Sequence, residues 1–471
     1  MYRLKKIGKI TPKCSKEVEL SRFGIGFEKL DRDLFDPEKA YDKVAALGAK
    51  WIRLQSGWER TEKAKGVYDF DWLDKVVDNL LKRGLIPWIC LCYGNKLYSK
   101  AAENVFGSVG IVPIFTNEER NGWCAYATAL AEHFKGRVNM YEIWNEPDNQ
   151  NCWRHGVSGK EYGEFAIMTA KALKAGDNTA KIVGCATCYA NTSFINEAFQ
   201  TGMYQYIDYV SFHAYTCKEA PLMDRVRALR ALCDMYKPEL ELIQGECGTQ
   251  SKPYGSGALK EGGWTEHKQT KYVLRHKVAD LINNVKFTSY FSALDMVEAL
   301  HGTLNDADSF KDQAYFGLLA AEFDENGRST GTYHPKPSYY ALQNLCSVFG
   351  GEFESCDLPI AHYSERSQVI FDYDCTDRSI ITGAMRRKNG SFAYVYWNAT
   401  PMMSVDFEGT VTMTVSNLNQ ALRLIDPYDG GVYEIPECIK QDLGNGSYNL
   451  HHLPIKDYPL ILTFGDFCDY E

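Results

Sequence analysis

At 471 residues the chain is too long for one average domain, and its 45% hydrophobic and 24% charged residues suit a globular protein with a sizeable core. A net charge of −9 argues against nucleic acid or anionic lipid as partner and leaves neutral ligands unaffected. The longest apolar run, around Leu85 to Tyr93, is too short to span a bilayer, so no membrane partner is expected. No apolar segment follows Lys5-Lys6, so no secretory signal is read there. Fifteen cysteines, an odd number scattered through strand-like and helix-like runs, point to reduced thiols and a cytoplasmic setting. Cys90-x-Cys92 and Cys185-x-x-Cys188 lack a second half at ligand spacing, so neither a metal nor another cofactor is expected.

Residues 1–21 show no helical period and read as an extended arm able to lend a strand elsewhere. Phe23 to Phe27 is the first strand, with Glu28 just past its end. A helix follows, with Asp36 as N-cap, Pro37 at its first position and Gly48 beyond its end. Trp51 to Leu54 is strand two and carries Arg53. Asp71 is taken as the cap of a helix with an apolar stripe at Leu73, Val76, Val77, Leu80 and Leu81. Leu85 to Leu91 is apolar throughout, as a strand buried on both faces should be.

The alternation continues. A helix over about Asn117 to Phe134 leads into strand four, Met140 to Trp144, which stops at Asn145-Glu146-Pro147. Proline pushes its predecessor towards an extended backbone, so Glu146 is expected extended at the strand tip. Ser158 and Glu161 form a capping-box pattern for the next helix. Lys181 to Gly184 and Tyr209 to Phe212 are strands five and six, the latter running into His213-Ala214-Tyr215. Strand seven, Leu240 to Gly245, ends in Glu246-Cys247-Gly248, and strand eight is placed at Phe287 to Leu294.

Eight strand-then-helix units imply an α/β fold, a (β/α)8 TIM barrel over residues 22–349. The alternative, an open doubly wound sheet, usually carries a glycine-rich turn after its first strand, and none fits. After residue 350 short alternating runs such as Phe392 to Trp397 and Val411 to Val415 are split by turn residues, which predicts a C-terminal β-sandwich over 350–471. In a barrel, the C-terminal strand ends line the site. Arg53, Glu146, His213, Tyr215 and Glu246 all fall there.

Two glutamates at the tips of buried strands supply what acid/base-plus-nucleophile cleavage of a glycosidic bond needs. On Trp144-Asn145-Glu146-Pro147 and Gly245-Glu246-Cys247-Gly248 the chain resembles the clan-A retaining glycoside hydrolases, with a family-39-like layout of barrel plus sandwich. The resemblance implies Glu246 as nucleophile, Glu146 as acid/base, Asn145 on the sugar 2-hydroxyl, and a His-x-Tyr pair in His213 and Tyr215. Arg53 is expected to keep Glu246 ionised, and Glu246 in turn to keep Glu146 protonated. Trp58, Tyr93, Trp153 and Trp264 are candidate sugar platforms in strand-end loops, and Glu28 and Asn95 candidate hydroxyl contacts. Glu142 reads as an interior structural carboxylate. Two departures from family-39 xylosidases, Gln55-Ser56-Gly57-Trp58 after strand two and no tryptophan on strand eight, bear on sugar identity.

The expected activity is a retaining exo-β-glycosidase acting on a small carbohydrate, with β-xyloside as leading substrate. Glucosidase, galactosidase or arabinosidase action and a catalytically silent sugar-binding barrel are the alternatives. A metal-dependent hydrolase is a third, for which only His213 offers itself as a strand-end ligand. Homo-oligomerisation is left open.

Overall fold

The computed structural model describes residues 4–298, 312–364 and 380–471. Eight parallel strands close into a barrel: β1 (Phe23–Gly26), β2 (Trp51–Gln55), β3 (Ile86–Leu91), β4 (Met140–Ile143), β5 (Lys181–Thr187), β6 (Tyr209–His213), β7 (Glu241–Glu246) and β8 (Thr288–Tyr290). The register closes through Gln244 opposite Thr288 and Ser289 opposite Gly24. Strand eight is shorter than the sequence suggests. The chain leaves the barrel after Tyr290 and contributes two small antiparallel strand pairs, Met296–Val297 with Gln313–Ala314 and Leu319–Phe323 with Ser329–Pro335.

The main outer helices are α1 (Tyr41–Ala45), α2 (Asp71–Lys82), α3 (Asn117–His133), α4 (Gly159–Gly176), α5 (Thr192–Gln200), α6 (Glu219–Tyr236), α7 (Glu266–Ile282) and α8 (Pro337–Val348). Asp36 does cap Pro37–Lys39, but as a 3-10 turn that precedes α1. Asp71 is the first residue of α2 and not its cap; its backbone N–H is satisfied by the Asp69 carboxylate at 3.0 Å. Thr116 and Glu119 form the reciprocal capping box of α3, which the sequence reading passed over. At α4, Ser158 accepts from the Glu161 N–H.

Beyond the barrel, two antiparallel sheets form the C-terminal β-sandwich. One has seven strands, the other four: Ile360–Ser364, Gly409–Ser416, Ser447–Ile455 and Lys440–Gly444. The N-terminal strand Lys6–Lys9 pairs antiparallel with Gly431–Glu434 at the edge of the larger sheet. The Tyr396 hydroxyl donates across the sandwich to the Pro454 carbonyl at 3.0 Å.

Helix α7 ties barrel to sandwich. Every residue from Gln269 to Leu281 is buried, including Lys271, Arg275, Lys277 and Asp280. Buried charges persist only when paired, and the partners come largely from outside the helix. Lys271 Nζ meets Asp457 Oδ2 at 2.8 Å, and Arg275 meets the Glu219 carboxylate at 2.8 and 2.9 Å. Trp397 of the sandwich donates to the same Glu219 at 2.9 Å. Lys271→Met leaves Asp457 uncompensated and is expected to cost roughly 3–5 kcal/mol of stability. Adding Asp457→Leu should recover much of that loss, and urea unfolding of both variants checks it.

Candidate active site

The strand tips at one end of the barrel open into a cavity of about 500 Å³ whose walls include Glu28, Gln55, Tyr93, Asn145, Glu146, Tyr215 and Glu246. Arg53, on β2, projects into the barrel interior with no exposure and organises the acidic groups. It donates to Glu142 Oε2 and Glu246 Oε2, each at 2.7 Å, to the Asn145 side-chain oxygen at 2.9 Å, and to Glu28 Oε1 at 3.4 Å. Glu142 is fully buried and is, as read from the sequence, an interior carboxylate held by this guanidinium.

The two glutamates converge. One oxygen of Glu146, one of Glu246 and one ring nitrogen of His213 all lie within 4.8 Å of one another. His213 Nδ1 stands 3.0 Å from Glu146 Oε1 and 3.9 Å from Glu246 Oε2, so it touches the acid more closely than the nucleophile candidate. Tyr215 donates its hydroxyl to Glu246 Oε1. Both oxygens of Glu246 are thereby committed, one to a phenol and one to a guanidinium. This matters for the metal alternative. Glu146, His213 and Glu246 have the spacing of a cation site, but the Arg53 charge 2.7 Å from Glu246 Oε2 opposes a divalent ion there.

Two expectations about Glu146 are corrected. Its backbone is left-handed (φ 48°), as is that of Trp144 (φ 66°), rather than extended. The Glu146 N–H donates to the Ala186 carbonyl on β5 at 3.0 Å, and this tertiary contact overrides the local proline preference. Nor is the resting carboxyl held protonated by Glu246. Burial pushes its pKa up, but the hydrogen bond and charge of His213, helped by Asn149 and Cys188, outweigh burial and bring it to about 2. On His213 burial favours the neutral ring, while the Glu246 charge and the Glu146 hydrogen bond prevail and raise its pKa. The proton of this pair rests on the imidazole.

Glu28 is the carboxyl that stays protonated. Burial, opposed by Arg53 and reinforced by the Glu246 charge, raises its pKa to about 8. The folded protein therefore holds a proton that the unfolded chain releases above its ordinary value of 4.5. That contribution is fully present below the unfolded value and is lost as pH rises through about 8. Glu28→Gln is expected to gain stability on the parent between pH 5 and pH 8 by more than ~1 kcal/mol. Urea midpoints at the two pH values read it directly.

Asn145 faces the cavity while its amide donates to the Tyr93 hydroxyl at 3.0 Å. Tyr93, nominated as a sugar platform, does line the cavity, but with 2% of its surface exposed it offers no open face for stacking. The three tryptophans nominated beside it lie elsewhere. Trp58 is buried between Tyr98 and Tyr126, because the left-handed turn at Gly57 sends the next segment towards the helix layer. Trp153 packs against Trp144, Tyr162 and Phe165, its indole N–H on Glu161 at 3.2 Å. Trp264 sits edge-on to Tyr272 with its N–H on the Leu259 carbonyl. Asn95 is likewise structural, donating to the Glu62 and Trp58 carbonyls at 3.0 and 3.4 Å.

Several cavity residues escaped the sequence reading, among them Lys29, Arg32, Asn149, Tyr189 and Phe316. Arg32 belongs to no recognisable motif; it donates to its neighbour Asp31 at 3.2 Å and to the distant Gln55 at 2.6 Å. Gln55, noted as a departure after strand two, is thereby occupied in anchoring that arginine. Phe291, offered by the strand-eight segment, also lines the cavity, whereas Asp295 is drawn to Lys336 at 2.7 Å.

Fold and site together point to a class: a closed (β/α)8 barrel with paired glutamates at the ends of β4 and β7 resembles the clan-A glycoside hydrolases. It resembles family 39 of these proteins. Residues 46–237 match Glycosyl hydrolases family 39. A beta-xylosidase of Caldicellulosiruptor saccharolyticus is 28% identical over 434 residues, 85% of this chain and 80% of that protein. A beta-xylosidase of Geobacillus stearothermophilus is 25% identical over 375 residues, 71% of this chain but only 62% of the relative's length. Among solved structures, a family 39 glycoside hydrolase from Bacteroides cellulosilyticus WH2 shares the fold with a TM-score of 0.65 at 18% identity, over 94% of this chain and 80% of the other.

Proposed function

We propose that this protein is a retaining, exo-acting β-glycosidase that releases terminal sugars, with β-xylosides as the preferred class, from short oligosaccharides or glycosides. The observation that carries the proposal is the approach of the Glu146 and Glu246 oxygens to within 4.8 Å. Double displacement wants carboxyls about 5–5.5 Å apart, whereas inversion leaves room for a water at about 6.5–9.5 Å. A cavity of about 500 Å³ suits a short oligosaccharide or glycoside, and two similar proteins named beta-xylosidase support the sugar.

In this mechanism Glu246, aimed by Arg53 and Tyr215, attacks the anomeric carbon and the glycosidic C–O bond breaks. The proton that leaves with the aglycone oxygen passes from His213 through Glu146, which the 3.0 Å contact permits once a bound sugar excludes water. Glu146, again ionised, then takes a proton from water as that water opens the glycosyl ester. Asn145 is placed to meet the 2-hydroxyl, and the hydroxyls of the bound ring face the protonated Glu28.

A panel of aryl β-xyloside, glucoside, galactoside and arabinoside tests the proposal, with xyloside expected to give the highest kcat/KM. A folded protein inert on all four would overturn it, and dominance of another sugar would move the specificity. Activity that disappears in a chelator and returns with metal would favour the cation-dependent alternative instead.

A further inference from the structure

The cavity has two flanks, divided by the line between the catalytic carboxylates. Under the proposed mechanism Glu146 gives its proton to the leaving oxygen, so the departing group lies on the Glu146 flank. Asn149, Asn151, Cys188 and Tyr189 line the cavity, and Asn149 and Cys188 are hydrogen-bonded to the Glu146 carboxylate. Tyr189 follows Cys188 directly, and among the described aromatic residues of the lining it is the large side chain that stands exposed, with 40% of its surface open. Its position is nonetheless fixed from three sides. Its hydroxyl donates to the Tyr215 carbonyl at 3.0 Å, its own carbonyl accepts from Thr187, and the Arg225 guanidinium lies 5.8 Å from its ring centroid.

A further clamp sets this loop in register with the acid. Asp148, two residues beyond Glu146, accepts from the Cys188 N–H at 2.8 Å and from the Asn191 amide at 2.9 Å. One carboxylate thus holds the loop on either side of Tyr189 against the loop that carries Glu146. An exposed aromatic, anchored at its polar tip and locked to the proton donor, has the properties of a platform for an apolar sugar face.

We infer that Tyr189 is the stacking platform for the leaving sugar, and that it makes a β-linked pyranosyl disaccharide a better substrate than the acid/base chemistry alone would. The inference deepens the proposed function and rests on it for the direction of the leaving group. Asp148 is a positioning residue that acts through Tyr189, and Asn149, which donates to Glu146 Oε2 at 2.8 Å, belongs to the acid and not to the platform.

The test compares xylobiose with β-xylosyl fluoride, whose leaving group has no ring to stack. In Tyr189→Ala the ratio of kcat/KM on xylobiose to that on the fluoride should fall about tenfold, equivalent to ~1.4 kcal/mol, through KM more than kcat. Tyr189→Trp should restore the ratio. An unchanged ratio in Tyr189→Ala, with the fluoride turned over normally by the parent, overturns the inference and leaves the glycosidase proposal standing. A parent inert on the fluoride defeats the glycosidase proposal itself. Calorimetry of xylobiose on Glu246→Gln supplies an arm that needs no turnover: an equal Kd with and without the Tyr189 ring also overturns the inference, and a Kd weakened about tenfold supports it.

Discussion

Glu246→Ala is expected to lower kcat on the order of 10⁴-fold or more on every β-glycoside, whatever its leaving group. In the proposed mechanism this residue supplies the bond that forms in the first step, and no neighbour is free to stand in for it: His213 is engaged with Glu146, and Tyr215 donates to Glu246 itself. Glu146→Ala should behave differently. A general acid contributes roughly 10²–10⁴-fold, and only where the departing oxygen needs a proton. Its loss should be small on dinitrophenyl glycosides and large on alkyl ones, with azide restoring part of the second step. Kinetics across a leaving-group series separate the two. If both variants fall by the same factor throughout the series, the roles assigned to β4 and β7 are wrong.

Arg53→Met is the substitution with the largest combined effect on stability and turnover. The guanidinium is fully buried and serves Glu142, Glu246, Glu28 and Asn145 at once. Without it, Glu142 and Glu246 become uncompensated charges in the barrel interior, a loss expected to cost roughly 3–5 kcal/mol. Lysine is no substitute, because a single ammonium cannot reach several acceptors from a planar fork. The urea midpoint should fall in Arg53→Met and, to a lesser degree, in Arg53→Lys, with kcat down in both. An Arg53→Met protein as stable and active as the parent would mean that the charge of these carboxylates is compensated by something else.

The strands of the barrel were legible because each is a short apolar run between turn residues, and that texture needs no partner to be recognised. Glu146 and Glu246 were legible for a related reason: each sits in a compact signature at a strand end. What escaped depends on residues distant in sequence. Trp58, Trp153 and Trp264 occupy strand-end loops, and whether such a ring faces a cavity or the helix layer depends on the path of the loop, as at Gly57. Glu146 illustrates the same limit twice. Its backbone answers to Ala186 on the next strand, and its ionisation answers to His213, 67 residues on. Helix α7 reads as polar on most faces yet is buried, because Asp457 and Trp397 approach from the sandwich and Glu219 from α6.

The stereochemistry of the first product tests the paired-glutamate account most directly. Proton NMR of an aryl β-xyloside during early turnover should show the β-anomer of the free sugar forming first, with the α-anomer growing in only as mutarotation proceeds. Initial release of the α-anomer would mean single displacement by water, and a Glu146–Glu246 pair working by double displacement would be contradicted.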